Sequence, residues 1–190
     1  LQEFERFGEW GPAVFTIVVS LGMLAVVIGL QYAIVANRNS GIGVALLLLM
    51  TGLLGWFLGP LLSVALALKN GPALVGYAAL GTGVVFFAMA ALASTIRRDL
   101  GSLGKFLFVG MIALLVAMVA NMFLQIPALS LTISTLAIVV FSLFLLFDLN
   151  RIIRGGETNY IMATTGVYMS LYNIFANLLN LLLALSGQRD

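Results

Sequence analysis

This sequence predicts an all-α integral membrane protein with six transmembrane helices, the last of them central in the bundle, and three observations predict it. Of 190 residues, 62% are hydrophobic and only 8% charged, with mean hydropathy +1.15, which leaves too few polar side chains to coat a water-soluble globule. Charges and turn residues cut the chain into six apolar runs, each near or above the roughly 20 residues needed to cross a hydrocarbon core. The last run carries a polar stripe at helical spacing. Helices rather than strands follow, because each run is about twice the length of a barrel strand and unpaired backbone is not tolerated in lipid.

In chain order, LQEFERFGEWG at 1–11 spaces Leu1, Phe4 and Phe7 three apart around Glu3, Glu5 and Arg6. That pattern suits an interfacial or periplasmic segment with Trp10 at headgroup depth, or else a frayed loop. The spans are expected at 12–36, 42–68, 73–96, 106–124, 129–147 and 160–185, with 186–190 as a periplasmic tail. The breaks are Asn37-Arg38-Asn39-Ser40-Gly41, Lys69-Asn70-Gly71-Pro72, Arg97 to Lys105, Gln125-Ile126-Pro127 and Asp148 to Asn159. Connections this short make neighbouring helices antiparallel.

Within the second span, Gly59-Pro60 removes a backbone donor and predicts a kink or a broken helix, either a hinge or plain packing. Gly52, Gly55 and Gly59, and in the fourth span Gly110, Ala113, Ala117 and Ala120, mark expected seams of close backbone approach. In the sixth span Gly166, Ser170, Asn173, Asn177 and Asn180 follow spacings of four, three, four and three. They therefore share one face over about 21 Å of helix. That face should turn inward, either as interhelical hydrogen bonds or as the wall of a hydrated path. Asn121, near the end of the fourth span, is a further candidate for this inner set.

Asp148 closes the fifth apolar run, where a carboxylate facing lipid and a helix C-terminus is costly. A helical pair with Arg151 or plain solvation would compensate it. A buried ion pair with Arg38 would instead form a cytoplasmic gate, which carboxyl protonation would loosen at low pH.

Arg38, Arg97, Arg98, Lys105, Arg151 and Arg154 fall on one side of this arrangement, and Arg6, Lys69 and Arg189 on the other. The positive-inside bias places the first set in the cytoplasm and the C-terminus in the periplasm. No charged stretch and cleavage site of a signal peptide precedes the first span, and the sequence does not begin with Met.

Enzymatic chemistry has little to work with. There is no His and no Cys, which excludes a Ser-His pair, an HExxH site, a thiolate nucleophile and a Cys-rich zinc site. An intramembrane aspartyl dyad needs two carboxyls within helices, and only Asp148 borders a span. The glycines at 41–43 and 81–83 lack the lysine and strand-loop-helix context of a phosphate cradle. Nine basic against seven acidic residues are too sparse to track nucleic acid. No cofactor and no resident metal is expected; the lipid bilayer is the certain partner.

The runs GWFLGPLLS at 55–63, MVANMFLQIPAL at 118–129, FDLNRIIRGGETNYI at 147–161 and SLYNIF at 170–175 together resemble the YccA-type bacterial branch of the Bax inhibitor-1 family. The resemblance extends over all six spans and is most specific in the last three. It implies a compact helical membrane fold of seven spans whose last helix is enclosed by the others. By that measure the family's first helix and cytoplasmic tail are expected before Leu1. Calcium-leak members are thought to sense pH with two aspartates on the last two helices; Asp148 matches the first, while the second position is Ser170, so a two-carboxyl switch is not expected here. The resemblance further implies association with the membrane ATP-dependent protease FtsH, as a modulator in the bacterial inner membrane. Two functions are thus expected: non-enzymatic modulation of that protease by binding, or a pH-sensitive leak for protons or calcium. The leak would use Asp148 and Arg38 as gate and Ser170, Asn173 and Asn177 as lining.

Overall fold

The computed structural model describes residues 2–187, with side chains described from Val14 onward, Thr16 excepted. The side-chain readings placed on residues 1–11, including Arg6 and Trp10, and those on the tail beyond Gly187, including Arg189, lie outside the described residues. Among the described residues there are six helices and no strand: α1 Gln2–Ala36, α2 Gly41–Leu66, α3 Gly71–Thr95, α4 Gly101–Leu124, α5 Pro127–Ile153 and α6 Tyr160–Ser186. Each contains a stretch long and apolar enough to cross a membrane.

The helix ends depart from the expected spans for identifiable reasons. α1 is helical from Gln2, so no loop separates its first residues from the membrane-length stretch Ile17–Ala36. α4 starts at Gly101 rather than 106, because the Gly101 amide donates to Asp99 Oδ1 at 3.0 Å, satisfying a donor that the helix start leaves orphaned. Lys105 thereby falls inside the helix, where its long stem can carry the ammonium to water. α5 begins with Pro127 in its first turn, where the missing N–H is harmless. It runs on to Ile153, six residues past the apolar run, so Asp148, Asn150 and Arg151 are helical rather than in a loop. Its stop is Gly155, at φ +71°, with the Gly156 amide donating to Arg151 O at 2.8 Å and the Gly155 amide to Ile152 O at 3.2 Å. This glycine turn satisfies the last carbonyls of α5. α6 then opens on Asn159, whose Oδ1 accepts from the Met162 amide at 3.1 Å.

α2 is one unbroken helix through Gly59-Pro60, which corrects the broken-helix alternative. Pro60 still offers no N–H to the carbonyl of Trp56, and its own carbonyl accepts from Ser63 Oγ at 2.8 Å. The chain divides into two compact units, Leu1–Phe57 and Leu58–Asp190, and the division falls within one turn before Pro60. In the first unit Ile34, Met50 and Leu54 are buried, while the turn joining α1 to α2 is held by Asn37 Nδ2 donating to Ala33 O and by Ser40 donating to Asn37 O. Gly52 and Gly55 have open space beside them within this unit.

In the second unit α3, α5 and α6 pack mutually, and α4 packs on α5 alone to any comparable extent. Ala65 at the end of α2, Leu74 and Ala78 on α3, and Leu179 on α6 form one buried cluster. Leu114 on α4 with Ile133 and Ala137 on α5 forms another, joined by Ala117 and Val140. Of the expected α4 seam, Gly110 lies against Val140 and Ala117 against the same α5 cluster, while Ala113 is exposed. In lipid such contacts stabilise through dispersion and close fit rather than through expulsion of water. Three hydroxyls within the spans donate to their own helices: Thr82 to Ala78 O, Ser142 to Ile138 O and Thr165 to Ile161 O.

α6 is the most enclosed helix. From Thr165 to Ala184 not one residue is exposed, whereas α4 exposes Phe106, Phe108, Val109, Ile112 and Val116. The reason is chemical: α6 carries three amides and a serine through the membrane's thickness, and only protein neighbours accept those without penalty.

Candidate functional site

The candidate site is the face that α6 turns to α5. Two contacts define its ends. At one, the Asp148 carboxylate lies on the Gly166 backbone, so close that a Cβ built on Gly166 would sit 2.7 Å from Asp148 Oδ2. At the other, Asn180 Nδ2 donates to Ser134 Oγ at 3.0 Å, with Ser134 only 3% exposed. From Gly166 to Asn180 is 14 residues (180 − 166), and from Ser134 to Asp148 is also 14 (148 − 134). The two helices therefore run antiparallel with no slip over about 21 Å. The whole stripe shares this face, so Asn173 falls level with Phe141 and Asn177 level with Ala137.

Between those ends the amides turn back on their own helix. Asn173 Nδ2 donates to Met169 O at 2.9 Å and Asn177 Nδ2 to Asn173 O at 2.8 Å. Both side chains are half-buried, and Ser170 is buried. Interhelical bonding, one of the two readings of the stripe, is thus seen at Asn180. Asn121 departs from its expected place: its Oδ1 accepts from the Ile126 amide at 3.1 Å and closes the α4–α5 turn. It does so because Gln125 takes a left-handed conformation, φ 51°, which aims the next amide back at the helix end.

Around Asp148 the end of α5 is held by a clasp. Arg151 pairs with Glu157 at 3.3 Å rather than with Asp148, and its guanidinium lies 5.4 Å from the centre of the Phe147 ring. Glu157 Oε1 accepts from the Asn159 amide at 3.0 Å, which ties the clasp to the start of α6. Phe147 in turn fills the space above Gly104, where a Cβ would lie 2.7 Å from the ring. Arg38 is exposed on the α1–α2 turn and belongs to the first unit, whereas Asp148 belongs to the second.

Asn150 was not legible as a site. It is 1% exposed, and its Nδ2 donates to Ala93 O at 3.4 Å and Ile96 O at 3.2 Å, the carbonyls that α3 leaves open at its C-terminus. Its Oδ1 is buried with no hydrogen-bond partner. An asparagine between Asp148 and Arg151 reads as loop in the sequence; only the continuation of α5 past its apolar run exposes its role. Ser134, the partner of Asn180, carried no signal beyond being polar in an apolar span. Among the described residues no group of three His, Cys, Asp or Glu side chains could hold a metal ion.

Six membrane-length helices, the last of them polar along one face and packed on α3 and α5, define a polytopic helical membrane protein. Comparison with known proteins agrees and narrows this. A family model described as "Inhibitor of apoptosis-promoting Bax1" matches residues 3–188, and the chain belongs to the Bax inhibitor-1 family. It is 45% identical over 166 residues to an uncharacterized protein of Neisseria meningitidis serogroup A, covering 87% of this chain and 73% of that one. It is 44% identical over 154 residues to the Escherichia coli K12 protein named modulator of FtsH protease YccA, covering 81% of this chain and 70% of that one. A Vibrio cholerae protein described as an uncharacterized membrane protein is 39% identical over 166 residues, 87% of this chain and 74% of its own.

Proposed function

We propose that this protein modulates an FtsH-type membrane ATP-dependent protease by binding it, without chemistry of its own. The observation that carries the reading is the 44% identity, over 81% of this chain, to a relative named for that role. The fold is physically compatible with it. A protease that extracts membrane proteins must pull helices out one by one, and α6 packs on both α3 and α5, with no residue exposed from Thr165 to Ala184. A bundle of this kind would engage such a protease and leave slowly. Co-purification with the protease from native membranes, at native abundance, is the test; absence of any association there would overturn the reading.

The setting we propose is the bacterial inner membrane, with Arg38, Arg97, Arg98, Lys105, Arg151 and Arg154 on the cytoplasmic side and the C-terminus in the periplasm. Since the chain has no Cys, single introduced cysteines at Arg98 and at Lys69 report sidedness without background. Labelling of position 98 from outside intact cells would reverse this topology.

The leak reading has one observation in its favour: Asp148 lies on the stripe that carries Ser170, Asn173 and Asn177. Flux across liposomes at about pH 5–8, abolished by Asp148→Asn, would support it; no flux in that range would end it.

A further inference from the structure

Around the α3–α4 connection the second unit carries a basic, partly apolar surface that the protease reading does not use. α3 and α4 both pack on α5, yet do not pack on each other to a comparable extent. Both are anchored to the same end of α5: α3 through Asn150 bonded to the Ala93 and Ile96 carbonyls, and α4 through Gly104 under Phe147. The turn between them therefore straddles α5, and the two helices leave it on separate sides. This turn holds Arg97 and Arg98, and the first turns of α4 add Lys105, all exposed, against the single carboxylate Asp99. Asp99 already accepts from the Gly101 amide. Arg154 adds a fourth exposed cation at the end of α5, where Glu157 is taken up by Arg151. Directly below the cations, Leu92 on α3 and Phe106 and Val109 on α4 are exposed and apolar, at 47%, 73% and 66%.

We infer that this surface binds an anionic phospholipid of the leaflet it faces. The headgroup phosphate sits among Arg97, Arg98 and Lys105, and the acyl chains lie along the open face of α4. Charge complementarity selects the ligand. An excess of cations at headgroup depth attracts an anionic lipid over a zwitterionic one, and exposed apolar side chains one turn deeper favour a lipid over a soluble phosphate.

The test is native mass spectrometry of the full-length protein released from detergent, with phosphatidylglycerol or phosphatidylcholine of identical chains added. Wild type should retain phosphatidylglycerol in clear preference, and each of Arg97→Gln, Arg98→Gln and Lys105→Gln should lower that preference about fivefold at most. Lys69→Gln, on the α2–α3 turn, should leave it unchanged. A phosphatidylglycerol bearing a photoactivatable acyl chain should label α4 between 106 and 116. Equal retention of the two lipids by wild type overturns the inference, as does full preference in the triple variant that carries Arg97→Gln, Arg98→Gln and Lys105→Gln together. So does stripping of the lipid by millimolar-range glycerol phosphate, which would mark a soluble-phosphate site, or cross-linking of the α4 face to a second copy in place of lipid. Because the wild-type comparison needs no variant, poor folding of the triple variant leaves the inference open to refutation.

Discussion

Gly166→Ala tests the contact at the centre of the candidate site. The new Cβ would stand 2.7 Å from Asp148 Oδ2 and 3.0 Å from its Cγ. An ordinary contact lies at about 3.4 Å, so the carboxylate or one helix must retreat by about 0.7 Å. Asp148 is a short side chain on a helical backbone, and overpacking of this kind costs about 1–3 kcal/mol. Alanine also favours helix over glycine by about 1 kcal/mol, so the single variant should lose about 0–2 kcal/mol. In an Asp148→Ala background the offending oxygens are gone, and the same substitution should be neutral or stabilising by up to about 1 kcal/mol. The coupling between the two positions, about 1–3 kcal/mol, cancels helix propensity and isolates the contact. Reversible unfolding of the four proteins in mixed micelles, followed by far-UV circular dichroism, measures it. A coupling below about 0.5 kcal/mol would refute the claim that Asp148 lies on Gly166.

Other parts of the structure predict separate outcomes. Gly104→Ala pushes a methyl into the Phe147 ring and, with the helix gain subtracted, should destabilise by about 0–2 kcal/mol, with most of the loss relieved by Phe147→Leu in the same unfolding assay. Asn150→Asp should cost at least about 3 kcal/mol by setting a carboxylate against the open carbonyls of α3, whereas Asn150→Leu should cost less, about 1–3 kcal/mol, because it leaves those carbonyls unpaired but also removes an acceptor that has no partner. A double-mutant cycle on Asn180 and Ser134 should give a coupling near 0.6 kcal/mol and no more than about 1.7, while Asn173→Leu and Asn177→Leu, whose amides bond their own helix, should show no measurable coupling to position 134.

Much of this architecture was readable because lipid imposes few alternatives. Apolar length alone announces a helix, and the spacing of Gly166, Ser170, Asn173, Asn177 and Asn180 announces which helix must be enclosed. The ends were less readable. Hydropathy reports where lipid stops, while a helix stops where its carbonyls find partners, and for α5 that is Gly155 rather than Phe147. The missed roles follow from this. Asn150 becomes a cap for another helix, and Arg151 finds Glu157 across the glycine turn rather than Asp148 one turn back. Asn121 could be read as polar and near a span end, but its bond to Ile126 depends on the backbone of Gln125, which no periodicity encodes.

The matched spacing of the two contacts between the last helices makes the pair behave like a vernier. A single residue inserted into α5 between Ser134 and Asp148 would rotate one contact by about 100° relative to the other, so both cannot be kept. The same insertion placed in α6 between Gly166 and Asn180 would restore the match. Length changes in this hairpin should therefore be tolerated in compensating pairs, one in each helix, or in the 154–159 turn where neither contact notices.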